Sequence, residues 1–391
     1  MTRIPSRILF PTDAPLPPDR MIGRDEDVAE LATQLGAGVH RIVAAPRRTG
    51  KSTVCRAAVA QQATAGSYTV SVSLFELTSA AALAERLAQE AIANRGPLAR
   101  LVERVRSGGE AVLKGAALAL SVNAGLELGE GVQLALKPGF ATADPHGSLL
   151  KALHLLEAIA AHDERPLILF VDELQEIASG DYGDGARVVR ELREILAESP
   201  HVTCLFAGSV EHMMRELFTN RQRALYGFGG FHELTPITAP EWLAGLAERF
   251  AEDGVTCDAD ALEQLVGRGR GHPRTTMLLA QQAHVALVED GSHQLDLAAV
   301  QRGYASAMAA ERARHVDAVL DVRRLGAGAT RVLTNLARGE PTYSHVEAKT
   351  ARRALDRLSN IGLVSRGERR GEWSINDPLL ADYLAAALVS G

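Results

Sequence analysis

The amino-acid sequence predicts an α/β protein with a parallel β-sheet at its centre. A short β-branched run ends at Ala44 and is followed by a Gly-containing loop and an Ala-rich, helix-compatible segment. A continuous apolar run at 166–171 ends in Asp172 and Glu173, the pattern of a strand buried on both faces of a parallel sheet. A further apolar run lies at 201–207. Strands that alternate with helices in this way form βαβ units.

The loop after the first predicted strand combines a Gly, a Lys and hydroxyl side chains. Residues 45–52 are Ala-Pro-Arg-Arg-Thr-Gly-Lys-Ser. Strand, Gly-containing loop, Lys, hydroxyl and helix follow one another in a phosphate-binding loop, whose backbone N–H groups converge on an anion. We expect Lys51 to reach the β- and γ-phosphates of ATP, and Ser52 to ligate Mg²⁺. The predicted nucleotide-binding residues of this segment are Pro46, Arg47, Arg48, Thr49, Gly50, Lys51, Ser52 and Thr53.

Two acidic residues end the apolar run at 166–171. Acids at the C-terminal end of such a strand face the crevice in which α/β proteins bind ligands. We expect Asp172 to hold Mg²⁺ through water, together with Ser52, and Glu173 to be the general base that orients and deprotonates the attacking water. Ser209 follows the 201–207 run, and either senses the γ-phosphate or the catalytic water or forms a plain turn.

Composition and charge limit the function classes. The chain has 391 residues, enough for two or three domains, and its net charge of −6 argues against extensive coating by nucleic acid, although a local basic patch is compatible with it. The scattered cysteines Cys55, Cys204 and Cys257 lack metal-ligand spacing and indicate reduced thiols. No apolar stretch reaches the ~18 residues of a transmembrane helix, and the N-terminus lacks the apolar core of a signal peptide. We therefore expect a cytoplasmic protein.

Changes in composition along the chain predict its domains. We expect a proline-rich lead at 1–20, with order beginning at Met21, then a core at 21–235 and a helical lid at 236–325. The Thr238-Ala-Pro-Glu241 segment matches a capping box that opens the lid.

Within the core, apolar residues alternate over 118–136 and predict a hairpin inside an insertion at 108–145. This apolar face either packs on the domain's own surface or forms a docking surface for a partner, another subunit or a membrane.

A Gly-rich turn in the lid carries an arginine. The segment 269–274 is Gly-Arg-Gly-His-Pro-Arg. Arg274 either reaches back to the nucleotide phosphates or lies at a solvated helix start.

The last part of the chain, 326–391, has the element order of a winged helix. A helix is predicted at 330–336, a second at 349–361, two short strands at 362–366 and 371–375, and a closing helix from Asp377.

The motifs of this chain, taken in order and spacing, resemble those of the archaeal-type ATPases, which are relatives of AAA+ and STAND proteins. The resemblance covers about 20–385. Its motifs are Ile-Gly-Arg-Asp at 22–25, Pro-Arg-Arg-Thr-Gly-Lys-Ser at 46–52, Phe-Val-Asp-Glu-Leu-Gln-Glu at 170–176, Ala-Gly-Ser at 207–209, Gly-His-Pro-Arg at 271–274 and Asp-Pro-Leu-Leu at 377–380.

The resemblance implies a P-loop NTPase fold with a helical lid and a C-terminal winged-helix domain. It implies that the Asp172 strand lies between the phosphate-loop strand and the Ser209 strand. It further implies that Ile22, Gly23 and Arg24 border the adenine and that Pro273 contacts the base.

The chain departs from the family pattern in three places. Ala45 stands where relatives usually carry Gly, which is tolerable only if its φ is negative. Ser209 occupies a position that is often Asn or Thr, and Phe228 one that is often Arg. Arg221 and Arg223 are the remaining candidates for an arginine that acts on a neighbouring subunit.

Three functions are compatible with these features. The first is a slow ATPase switch in which hydrolysis by Glu173 resets a lid and the winged helix reports the nucleotide state to a DNA or protein partner. The second is a DNA-binding regulator licensed by nucleotide, and the third a homo-oligomeric scaffold that assembles through the 118–136 hairpin. The DNA hypothesis rests on basic residues of the predicted winged helix, interrupted by Asp356: Lys349, Arg352, Arg353, Arg357, Arg366, Arg369 and Arg370.

Overall fold

The computed structural model describes residues 3–12, 16–93, 145–178, 185–367 and 371–389. The chain divides into two compact units. The sheet unit comprises Glu26–Ala45 and Lys51–Leu234, and the helical unit comprises Met1–Asp25, Pro46–Gly50 and Thr235–Gly391. The predicted hairpin at 118–136 lies outside the described residues, as does the insertion around it up to residue 144.

The sheet unit contains a five-stranded sheet in the order β2-β3-β4-β1-β5, with every described pairing parallel. The strands are Arg41–Ala44 (β1), Tyr68–Ser73 (β2), Leu167–Asp172 (β3), Val202–Gly208 (β4) and Gly230–Phe231 (β5). β3 and β4 are buried along their whole length, whereas β2 alternates between buried and more exposed residues, as expected of a strand at the sheet edge.

The strand order corrects one expectation. β3 does not lie between β1 and β4; instead β4 lies between the other two. β4 pairs with β3 over Val202–Phe206 and with β1 over Leu205–Gly208. β3 and β4 have the same fully buried pattern. Burial predicts that both strands are central, but only the hydrogen-bonded register decides which of them is the neighbour of β1.

The helices of the sheet unit cover an apolar core. Leu87, Leu153, Leu169 and Phe206 are among its fully buried members. A 3₁₀ turn at Leu174–Ala178 follows β3 directly. The helices are Asp25–Gly36, Lys51–Thr64, Ala80–Ala93, Pro145–His162, Gly185–Glu198 and Glu211–Thr219.

The helix Glu211–Thr219 ends before the turn that contains Arg221 and Arg223. Asn220 follows with an extended backbone, and its side-chain oxygen accepts a hydrogen bond from Gln222 N at 3.0 Å. Asn competes in this way with the helical backbone and favours a turn.

The helical unit begins with the capping box predicted at Thr238, which is confirmed. The Thr238 hydroxyl accepts from Glu241 N, and the Glu241 carboxylate accepts from Thr238 N at 2.7 Å. The helices that follow are Ala239–Glu252, Ala259–Gly269, Pro273–Asp290 and Leu297–Leu325. Two short strands, Thr256–Cys257 (β6) and Gln294–Leu295 (β7), pair with each other in parallel.

The N-terminal segment packs into this unit, and the expectation that order begins at Met21 was wrong. A short helix at Ser6–Leu9 precedes Phe10, whose ring lies 4.7 Å from that of Phe250. Leu9 and Phe10 are fully buried. The Arg249 guanidinium donates to the Leu9 carbonyl at 2.6 Å. The prolines predicted an N-terminal segment without regular structure, but Leu9 and Phe10 pack into the apolar core of the helical unit.

The C-terminal part of the helical unit has the predicted order of elements. Helices Ala327–Ala337 and Ala348–Asn360 are followed by the antiparallel strands Val364–Arg366 (β8) and Trp373–Ile375 (β9), and by the helix Pro378–Val389. Val332, Leu333, Leu355 and Leu358 form part of the shared apolar core. The assignment of this segment as a winged helix stays a prediction. Among the described residues, no helix combines the length and apolar character needed to span a bilayer.

Candidate functional site

The loop after β1 contains left-handed backbone conformations of the kind found in anion-binding loops. Its φ is positive at Arg48 (70°) and Gly50 (90°), but not at Ala45. Ala45 therefore replaces Gly without strain, and its N–H donates to the Gly208 carbonyl at 3.3 Å. Left-handed residues interspersed along a loop turn successive N–H groups toward one point. A Cβ on Gly50 would meet no atom within 4 Å, so space does not require glycine there. The left-handed φ does, because glycine adopts it without steric cost.

Lys51 begins the helix Lys51–Thr64, and its side chain is 4% exposed. Its Nζ lies 3.0 Å from Asp172 Oδ1 and 3.1 Å from Glu173 Oε1. Burial alone would lower the pKa of Lys51, but the two carboxylates outweigh that effect and raise it. The buried Lys51 ammonium therefore stays charged, because it is paired with two carboxylates.

Glu173 follows β3 with a left-handed backbone, φ 55°. Its Oε2 accepts hydrogen bonds from Ser209 N at 3.1 Å and from Ser209 Oγ at 2.7 Å. Burial alone would raise the pKa of Glu173, but the charge of Lys51 and the hydrogen bonds from Gln175, Ser209 and Lys51 lower it. The carboxylate is therefore kept ionised and in one orientation, and the left-handed φ is a strain that the surrounding contacts maintain.

Gln175 is a site residue that the sequence motifs did not mark, although it lies inside the Asp-Glu-Leu-Gln segment at 172–175. It is 1% exposed, and its amide nitrogen donates to Glu173 Oε2 and, at 3.3 Å, to Ser209 Oγ. Gly208 makes room for it, because a Cβ there would lie 2.3 Å from Gln175 Oε1 and 2.4 Å from Met214 Sδ. A glutamine two residues after the acidic pair is the signal in the sequence that could have marked it.

The predicted metal ligands are oxygen donors. Ser52 lies in the first turn of the helix Lys51–Thr64, beside the buried Thr53. Asp172 is 6% exposed and ends β3, with its Oδ1 also accepting from Glu173 N at 3.0 Å. A hydroxyl and a carboxylate are hard donors that suit Mg²⁺. The residues present therefore fit this ion. The sheet unit brings together the predicted catalytic residues Lys51, Glu173 and Ser209 and the predicted metal ligand Asp172.

Ile22, Gly23 and Arg24 lie in the helical unit. The Arg24 guanidinium is buried and donates to the carbonyl of Thr49, at 3.1 Å, and to that of Thr235. Thr49 Oγ1 in turn donates to the Pro46 carbonyl at 2.8 Å. Arg24 thus contacts the backbone of the phosphate-loop segment. Gly23 has a φ of 61°, and a Cβ there would lie 2.8 Å from Ile237 Cγ2.

Pro273 and Arg274 open the helix Pro273–Asp290. The hypothesis of a solvated Arg274 was wrong, because its side chain is 10% exposed and donates to Glu311 Oε1 at 3.0 Å. His272 caps this helix by accepting from Thr275 N, and burial lowers the pKa of His272 to about 4. Burial and the nearby cations Arg274 and Arg314 also lower the pKa of Arg48.

The candidates for an arginine acting on a second subunit lie in the turn after Asn220. Arg223 pairs with Glu216, and Arg221 is exposed. Phe228 is a core residue, 5% exposed, and its ring stacks on that of His40 at 4.6 Å.

No protein-family model matches the chain, and no curated protein sequence is similar to it. Solved structures are similar over nearly the whole chain. The Walker-type ATPase paby2304 of Pyrococcus abyssi is 16% identical, with a TM-score of 0.68, over 96% of this chain and 99% of that one. The Aeropyrum pernix ORC2 protein, solved as ADPNP–ADP complexes, is 16% identical with a TM-score of 0.56, over 98% of this chain and 99% of its own.

A third similar structure is the Aeropyrum pernix ORC1 protein in complex with DNA, at 16% identity and a TM-score of 0.52, over 98% of this chain and 96% of its own. At such identities the similarity concerns the fold. Together with the parallel sheet and the loop after β1, it leads to one conclusion: the chain has the α/β P-loop fold of the archaeal Walker-type ATPases.

Proposed function

We propose that the protein binds and hydrolyses ATP as a molecular switch of the AAA+/STAND type. The observation that carries this proposal is the convergence of Lys51, Asp172 and Glu173, with Glu173 oriented by Ser209. The similarity in fold to Walker-type ATPases supports it.

Each residue then has a role that follows from its surroundings. Lys51 stays charged and leaves its carboxylate partners for the β- and γ-phosphates of the substrate. Glu173, like any accessible carboxylate, is ionised near neutral pH and accepts a proton from the attacking water. Ser209 and Gln175 hold the carboxylate in place. Ser52 and Asp172 would hold Mg²⁺, which as a Lewis acid neutralises the charge that develops on the phosphates.

The first experiment measures phosphate release from ATP by the wild type and by Glu173→Gln. We expect Glu173→Gln to retain nucleotide binding and to lose about 10²–10⁴-fold in turnover. Glu194→Gln, an exposed acid on the helix Gly185–Glu198, is the matched control and is expected to turn over normally. Normal turnover by Glu173→Gln would show that another group activates the water.

We further propose that the nucleotide state reaches a partner through the C-terminal segment, as a winged helix. The candidate partners are another protein and DNA. DNA is a candidate because Lys349, Arg352 and Arg353 are exposed on the helix Ala348–Asn360. The similar Aeropyrum pernix ORC1 protein was solved with DNA. Arg357 of the same helix donates to the Leu325 carbonyl at 3.1 Å, so it is engaged within the protein. Arg369 and Arg370 lie outside the described residues.

The DNA hypothesis is tested by measuring duplex binding, with ATP, against salt concentration. If Arg352 and Arg353 contact phosphates, changing both to Ala lowers the slope of log K against log salt by about 2. Arg331→Ala, exposed on the helix Ala327–Ala337, is the control. Salt-insensitive or absent binding would favour a protein partner. The homo-oligomeric scaffold, which depends on the 118–136 hairpin, stays a prediction.

A further inference from the structure

Three potential metal ligands converge inside the helical unit. Glu311 and His315 lie four residues apart on the helix Leu297–Leu325, which places both side chains on one face. Asp377 immediately precedes the helix Pro378–Val389. One ligand atom from each of the three residues lies within 4.8 Å of the other two.

His315 has no hydrogen-bond partner for either ring nitrogen among the described residues, although it is only 2% exposed. Buried polar atoms are nearly always hydrogen-bonded, and leaving one unsatisfied is costly. The ring contacts Tyr383, with centroids 5.3 Å apart, and one nitrogen lies close to the two carboxylates. A neutral imidazole has a nitrogen lone pair that it can donate to a metal ion.

The two acids retain free lone pairs, although each makes other contacts. Asp377 Oδ1 accepts from Leu379 N at 2.9 Å and from Leu380 N at 3.4 Å, which caps the last helix and leaves Oδ2 as the oxygen that would bind a metal. Glu311 lies 3.0 Å from Arg274 and 2.7 Å from Arg314. Each carboxylate oxygen has two lone pairs, so one hydrogen bond leaves room for a metal, and metal-bound carboxylates are usually hydrogen-bonded in this way.

The neighbouring guanidinium groups set the strength of binding. Two carboxylates and a neutral imidazole carry a charge of about −2, which matches a dication. Arg274, Arg314 and Arg48 oppose that charge, but the Arg314 side chain is 47% exposed and is free to turn toward solvent when a metal ion binds. We therefore expect moderate affinity instead of the tight binding of a structural zinc site.

We propose that Glu311, His315 and Asp377 bind a divalent transition-metal ion, with Zn²⁺ and Mn²⁺ the best-suited ions. One imidazole with two carboxylates is a mixed set that these ions accept, whereas Mg²⁺ and Ca²⁺ prefer oxygen alone. Ligands on such an ion lie at about 2.0–2.2 Å from it, hence at most about 4.4 Å from one another. The ligand atoms of the three side chains, within 4.8 Å of one another, would need to approach only slightly to bind one ion. The ion would join the last helix to the helix Leu297–Leu325.

The experiment is a calorimetric titration of the full chain with Zn²⁺ and then Mn²⁺, after chelator treatment and without nucleotide. It is performed on Asp172→Asn, which removes the predicted Mg²⁺ ligand, so that its outcome is independent of the proposed ATPase activity. We expect one saturable site and a rise in melting temperature that grows with metal concentration.

Two variants assign the site. Asp377→Asn removes a ligand charge but keeps an N-cap residue, so it is expected to fold and to bind the metal at least about tenfold more weakly. His315→Leu fills the same space without a lone pair and is expected to lose the melting shift. Asp321→Asn, an exposed acid on the same helix, is the control and is expected to bind normally. Absence of saturable binding, or binding that Asp377→Asn and His315→Leu both leave unchanged, would overturn the proposal.

Discussion

Ser209 donates two hydrogen bonds to a single carboxylate oxygen of Glu173, from its backbone N–H at 3.1 Å and from its hydroxyl at 2.7 Å. Hydrogen bonds to the ionised form of an acid favour that form, and here they act with the charge of Lys51 to lower the pKa of Glu173. The residue after β4 thus helps to set both the orientation and the ionisation of the acid after β3.

Ser209→Ala should shift the pH dependence of ATP hydrolysis. A general base works only when ionised, so the rate of the wild type should fall only below the ordinary Glu pKa of about 4.3. Loss of the hydroxyl raises the pKa of Glu173, and the acid limb of kcat/KM should move to higher pH. Ser71→Ala, on an exposed position of β2, is the control. An unmoved limb with reduced kcat would assign Ser209 to orientation alone.

Lys51→Met should abolish ATP binding and also destabilise the nucleotide-free protein. The substitution leaves the carboxylates of Asp172 and Glu173 without their buried cation, which costs about 1–3 kcal/mol. Equilibrium urea unfolding measures this loss. Adding Asp172→Asn to Lys51→Met removes one of the two stranded charges, so the double variant should lose less stability than the sum of the single ones. Strict additivity would mean that the ion pair contributes nothing.

Gly208→Ala should reduce both stability and turnover. The new Cβ would collide with the side chains of Gln175 and Met214 in a packed interior, which costs about 1–3 kcal/mol. Displacing Gln175 also disturbs its hydrogen bond to Glu173, so kcat should fall with less effect on nucleotide affinity. Thermal unfolding and steady-state kinetics measure the two effects.

Gly267→Ala is the matched control for that substitution. Gly267 lies within the helix Ala259–Gly269, and a Cβ there would meet no atom within 4 Å. Alanine favours a helix interior, so stability should be unchanged or rise by up to about 1 kcal/mol. Equal destabilisation at both positions would refute the argument from close packing.

Phe10→Ala should destabilise the helical unit by about 3–5 kcal/mol, because it empties a fully buried aromatic position against Phe250. Ile8→Ala, two residues earlier and 55% exposed, should change stability by less than about 0.5 kcal/mol. Chemical unfolding followed by the fluorescence of Trp242 and Trp373, both in the helical unit, compares the two. Equal, small effects would mean that the N-terminal segment is dispensable for this core.

Local pattern sufficed for those parts of the molecule that depend on neighbours in sequence. The buried run ending at Asp172, the phosphate-loop segment before Lys51 and the capping box at Thr238 are all encoded within a few residues. Apolar periodicity and turn chemistry act over such distances, so strands, helices and caps can be predicted from them.

Long-range pairing was needed for the rest. The sequence by itself determined an α/β chain with a phosphate loop and two acids at a strand end. Only the tertiary structure decided that β4 lies beside β1, that Phe10 enters a core far along the chain, and that Gln175 and Ser209 meet at Glu173. Strands with equal burial are interchangeable in pattern. A buried amide acquires its role only from the groups that folding brings within hydrogen-bonding distance.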